Sequence, residues 1–141
     1  MRQPRAVGDF LKEVGCGIHI DSSQYAYGDD CRPSLLPGYV AEIPVTEGTD
    51  AEGRRISAYL WPMHEGKRSP QDYIDLASAV PEDGVLVIAD HTWHIVESRS
   101  GGVFPEDDLR ENLEKTERVL RGILEAGNRP ATLSEISRLA V

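Results

Sequence analysis

Cysteine is nearly absent from this chain: Cys16 and Cys31 are the only two in 141 residues. Two thiols fall short of the four ligands of a structural zinc site, and a disulfide-stapled scaffold needs more of them. Long apolar runs are missing as well. None approaches the roughly 18 residues of a membrane helix. The opening "MRQPRAVGDFLKEVG" lacks the apolar core of about 7–15 residues on which a secretory signal depends. A cytoplasmic location with no membrane partner is therefore expected, with both cysteines as free thiols. Bases are scarce over residues 69–109, where Arg99 stands alone against nine acids: Asp72, Asp75, Glu82, Asp83, Asp90, Glu97, Glu106, Asp107 and Asp108. That segment holds −8 of the chain's net charge of −9. Direct binding of nucleic acid through it is excluded, because neutralising phosphates takes Lys and Arg. No Gly-x-x-x-x-Gly-Lys-Ser/Thr or Gly-x-Gly-x-x-Gly cradle is present, so no cofactor is expected.

What is present reads as a globular chain, 40% hydrophobic and 28% charged. Its length suits a single domain over residues 1–141 that buries about two thirds of the unfolded surface. Val7, Phe10, Leu11 and Val14 share one face of a helix that Gly15 can end, and "CGIHI" follows as a strand. Residues 21–38, "DSSQYAYGDDCRPSLLPG", show no period and suggest a long irregular loop. "YVAEIPV" and "RISAYLWPM" alternate as two strands around a polar connection, with Tyr39, Ala41, Ile43 and Val45 on the inward face of the first and Ile56, Ala58 and Leu60 on that of the second. Pro44 marks the first as an edge strand.

Ser69, Pro70 and Asp72 are a helix start, with Tyr73, Ile74, Ala77 and Val80 on the buried side. A long helix is predicted from about Pro105 to Ala126, its apolar stripe made by Leu109, Leu113, Thr116, Leu120, Ile123 and Leu124. Thr132 and Glu135 form a capping box for a last helix, docked through Leu133, Ile136 and Leu139. The 105–141 region is thus a C-terminal helical pair. The predicted order is α-β-β-β-α-β-β-α-α. It describes an α+β fold with a mainly antiparallel sheet of about five strands and three to four helices.

The most chemical stretch is "GVLVIADHTWHIVES", residues 84–98. Its β-branched residues disfavour a helix, so a hairpin with Asp90-His91 at the turn is expected. That places Asp90 at an exposed tip, packs His94 among valines, and keeps His91 and His94 apart, with no metal site. Cys16 and His19, three residues apart, fall on opposite faces of a strand, which leaves Cys31 with His19 or His64 as the alternative nucleophile pair. "SRSGG" before a helix resembles an anion cradle, although Glu106, Asp107 and Asp108 already occupy the helix start. Asp50 with Glu52, and Asp29 with Asp30, read as solvated turns.

The acidic segment points to function most directly. It suggests a non-enzymatic interaction protein that offers Asp72, Asp75, Glu82, Asp83, Asp90, Glu106, Asp107 and Asp108 to a basic protein partner. One form of this reading is a phage or mobile-element inhibitor that occupies a nucleic-acid-binding site. A small hydrolase or transferase using Cys31, His64 and His19 near the 21–38 loop is the competing expectation, and a subunit of a larger assembly is the third.

Overall fold

The computed structural model describes residues 20–21, 25–27, 32–36 and 40–140. The predicted first helix, Cys16, His19, Asp29, Asp30, Cys31 and Tyr39 lie outside the described residues. Six short strands come first: β1 (Ile20–Asp21), β2 (Tyr25–Tyr27), β3 (Ser34–Leu36), β4 (Val40–Glu42), β5 (Val45–Thr49) and β6 (Arg55–Ser57). Five helices follow: α1 (Trp61–His64), α2 (Pro70–Ser78), α3 (Thr92–Val96), α4 (Glu106–Glu125) and α5 (Leu133–Ser137).

Among the described residues the expected five-stranded, mainly antiparallel sheet is not formed. The strands make two three-stranded sheets, ordered β1-β4-β3 and β2-β5-β6. Each contains one parallel and one antiparallel pairing. The one edge strand that alternation suggested through Pro44 is instead broken there into β4 and β5, each the central strand of its own sheet; alternation carries no information on partner or direction. Both β4 and β5 pair in parallel with segments far upstream: β4 with β1, at the end of the expected "CGIHI" strand, and β5 with β2, inside the stretch expected to be an irregular loop. Partners differ by 21 positions in the first pairing (Ile20 with Ala41) and by 20 in the second (Tyr25 with Val45). The register changes across Pro44, which has no N–H to give a ladder. Among the described residues alone there are five helices, where three to four were expected.

Several inward positions are as the alternation predicts. Ala41, Ile43, Val45, Ile56, Ala58 and Leu60 are all buried. Val45, Ile56, Ala58 and Leu60 join Met63, Tyr73, Leu76, Ala77, Val119 and Ile123 in one core. The Tyr73 hydroxyl donates to the Tyr59 carbonyl at 2.7 Å, so its burial leaves no unpaired donor. Residues 86–89 pack along this core. Thr46 holds them: its N–H donates to the Val87 carbonyl at 3.2 Å, and its hydroxyl accepts from the Val87 N–H at 2.9 Å. A single parallel bridge joins Ala89 to Tyr59.

The ladder ends at Ala89, and no hairpin forms. His91 becomes the N-cap of α3, where the His94 N–H donates to the His91 carbonyl at 2.8 Å. Propensity is a weak prior, overridden here by packing: α3 buries His94, and the Ile95 carbonyl accepts from the Asn112 amide at 3.3 Å. The helix starts at Ser69 and Thr132 are true capping boxes. Helix α4 buries Asn112, Val119 and Ile123. It approaches α2 so closely that a methyl at Gly122 would run into Ile74. In α5 only Ile136 is buried; Leu133 and Leu139, expected to dock, are exposed.

Candidate functional site

The acidic positions are spread over several elements. Asp72 is turned to its own helix start and accepts from the Ser69 N–H at 2.7 Å. Asp75 accepts from the Gln71 amide at 2.8 Å, Asp83 pairs with Arg32, and Glu82 is exposed. Glu106 and Asp107 lie 3.5 and 3.6 Å from Arg110, with Asp108 beside them in the first turn of α4. That turn lies about 24 Å along the helix axis from the Gly122 crossing with α2, at about 1.5 Å per residue.

Asp90 is not at an exposed tip. Its carboxylate points between two buried imidazoles, with His64 Nε2 at 3.3 Å from Oδ2 and His94 Nδ1 at 3.6 Å from Oδ1. His64 and His94 are 4% and 6% exposed. Asp90 and His94 meet across the start of α3, Asp90 lying just before the extended N-cap His91 and His94 within the turn that follows. His64 arrives from α1, which packs against α3. His91 and His94, expected to stay apart, have ring centroids 5.2 Å apart. The cluster is incompletely bonded: His64 Nδ1, Asp90 Oδ1 and His94 Nδ1 are buried without a hydrogen-bond partner. Burial holds His94 below its ordinary value, and the nearby His91 adds to this, while the charge of Asp90 works against it. Chemically this is a neutral imidazole beside a carboxylate, able to take a proton as pH falls. Among the described residues no group of three or more His, Cys, Asp or Glu side chains is placed to hold a metal ion.

The Asp50 turn is also unlike its expectation. Its side chain is buried, and it accepts from the Arg54 N–H and Arg54 Nε, each at 2.8 Å, and from Arg68. Burial pushes this carboxyl up. The Arg54 N–H and the guanidinium groups of Arg68 and Arg54 outweigh that effect and hold it at about 2. Every lone pair needed is taken by protein.

A third feature was misplaced in sequence. Of the predicted α4 stripe, Ile123 is buried, but Leu113, Leu120 and Leu124 are 52%, 50% and 50% exposed. The inward face runs through Asn112 and Val119 instead. An asparagine at a buried position shifted the apparent stripe, and the Asn112–Ile95 bond that fixes it is not visible in a helical period. Leu113, Leu120 and Leu124 therefore line the outer side of the helix over about 16 Å. Three of the four bases of α4 are neutralised within it, as Arg110 with Glu106 and Asp107, Lys115 with Glu111, and Arg121 with Glu117. Asp108, Glu114 and Glu125 form no ion pair among the described residues, and neither does the fourth base, Arg118, so the helix carries an apolar row in a surround that is net acidic.

Among the described residues no helix is long and apolar enough to cross a membrane. No protein-family model, curated protein or solved structure matches the chain.

Proposed function

We propose that the chain is a non-enzymatic binding module that docks a basic, amphipathic protein surface on the outer face of α4. The observation that carries this reading is the row of half-exposed Leu113, Leu120 and Leu124 on a 20-residue helix whose other face is packed. Apolar surface supplies affinity, and the unpaired acids beside it select a partner with lysine or arginine flanks. The acidity of residues 69–109 then acts at longer range, steering approach and not forming the contact itself. A nucleic-acid-binding surface is one such basic face, and occupying it would make the chain an inhibitor.

The test is anisotropy titration with two synthetic amphipathic helices that share one leucine stripe, flanked by lysine in one and glutamate in the other. The lysine-flanked helix binds and weakens as salt rises. Replacing Leu113, Leu120 and Leu124 with Ser leaves the fold intact by circular dichroism. At about 1 kcal/mol for each half-exposed leucine, the triple variant loses on the order of 100-fold in affinity. Equal binding of both helices, or of wild type and triple variant, would reject the docking face.

A further inference from the structure

The "SRSGG" stretch has a structural role that leads to a second site. Ser98 and Gly102 close a tight loop, with the Ser98 N–H donating to the Gly102 carbonyl at 3.1 Å. Gly101 and Gly102 have φ of 94° and 110°, the left-handed region that glycine alone enters at no cost. The loop's inward donors are met by Glu65 at the end of α1. Its Oε1 accepts from the Arg99 N–H at 2.7 Å and the Ser98 hydroxyl at 3.2 Å, and its Oε2 accepts from Lys67 at 2.6 Å. The cradle that resembles an anion site therefore already holds an anion, supplied by the chain itself.

Beside this cross-link opens a groove of about 490 Å³ lined by Trp61, Glu65, Lys67, Ser98, Arg99, Ser100 and Phe104. The Lys67 ammonium lies 4.9 Å and the Arg99 guanidinium 4.4 Å from the Trp61 ring centroid. Arg99 has no carboxylate partner among the described residues. Two cations face one carboxylate, which makes the groove locally positive in a chain of net charge −9. Two aromatic walls, a planar guanidinium and the hydroxyls of Ser98 and Ser100 are the features of a small-ligand site: mostly apolar walls with a few convergent polar groups. The guanidinium suits both a planar ring, by stacking, and an oxyanion, by paired N–H donation.

We propose that the Trp61 groove binds a small planar anion, an aromatic ring carrying a phosphate or carboxylate group. The ring packs against Trp61, Arg99 and Phe104. The oxyanion meets the Arg99 and Lys67 side chains, not the Ser98 hydroxyl and the Arg99 N–H that Glu65 has filled. This site is independent of the α4 face.

The experiment follows Trp61 fluorescence in the full chain carrying Trp93→Phe, which leaves Trp61 as its only tryptophan, and the Trp61 indole N–H resonance in the unsubstituted chain. The probes are AMP, benzoate, adenosine and inorganic phosphate. AMP or benzoate saturates the signal at millimolar concentration, and which of them does so tells phosphate from carboxylate. Arg99→Ala weakens that binding by about tenfold or more. Adenosine and inorganic phosphate, each lacking one half of the chemistry, bind about tenfold more weakly than AMP when AMP is the ligand. The proposal is overturned if neither AMP nor benzoate saturates either signal, if adenosine or phosphate equals AMP when AMP is the ligand, or if Arg99→Ala binds as the parent does.

Discussion

Asp50 and Asp90 each withdraw a carboxylate from solvent, and each meets two cationic or potentially cationic side chains there. Asp50 meets two arginines, always charged, and backbone N–H groups in the same turn. Asp90 meets two histidines at 3.3 and 3.6 Å, and one of its oxygens goes without a hydrogen bond. The first arrangement is closed, with donors matching acceptors, and holds its charge at any ordinary pH. The second is open to titration, because His94, held below its ordinary value by burial, can still take up a proton as pH falls. A buried acid is thus a fixed strut or a sensor according to what it faces.

Removing the strut gives the largest effect. Asp50→Asn leaves Arg68 without its carboxylate and unties the 50–54 turn, and it lowers Tm more than Asp90→Asn or Glu52→Gln does. It also removes an acid limb. The folded pKa of about 2 lies below the ordinary 3.8, so this group's stabilisation is complete above 3.8 and is lost as pH falls toward 2. Thermal melts from pH 5 down to pH 2 check both outcomes, and an unchanged acid limb in the variant would break the contrast.

Asp90→Asn comes next, costing about 1–2 kcal/mol in urea denaturation at neutral pH. Its sharper signature is on His94. The Asp90 charge is what opposes burial there, so the His94 titration moves further below 6.5 in the variant, as read by NMR. In the parent chain, a folded pKa below 6.5 means that His94 destabilises the fold progressively as pH drops through 6.5. A His94 titration indifferent to Asp90→Asn would show that the two do not interact. The smallest effect is expected at Glu52→Gln. Glu52 reaches Arg54 at 2.9 Å, but both side chains are about two-thirds exposed, and the change stays below about 0.5 kcal/mol in the same denaturation assay.

Legibility in the sequence follows the range of the interaction. Ser69 with Asp72 and Thr132 with Glu135 announced their helices because a capping box is complete within four residues. The long helix, and Gly127 after it, were equally local. The inward sides of Ala41, Ile43, Ile56 and Ala58 were legible from alternation. Strand partners were not, since β5 pairs with residues 20 positions earlier and nothing in either segment encodes the direction. The Asp90 cluster failed for two reasons: His64 lies 26 residues upstream, and β-branched neighbours argued for a strand where packing imposes one helical turn. The α4 stripe failed through Asn112, a polar residue that is only 2% exposed.

Glu65 has one more consequence. By bonding to Lys67 on its own side and to Ser98 and Arg99 across the groove, it couples the end of α1 to the 98–102 loop. These bonds tie the two walls together and hold the loop in place before any molecule arrives. Association there costs little ordering entropy, and affinity can be had from few contacts. Glu65→Ala would leave the lining in place and loosen it, turning a preformed site into one that must be assembled at each encounter.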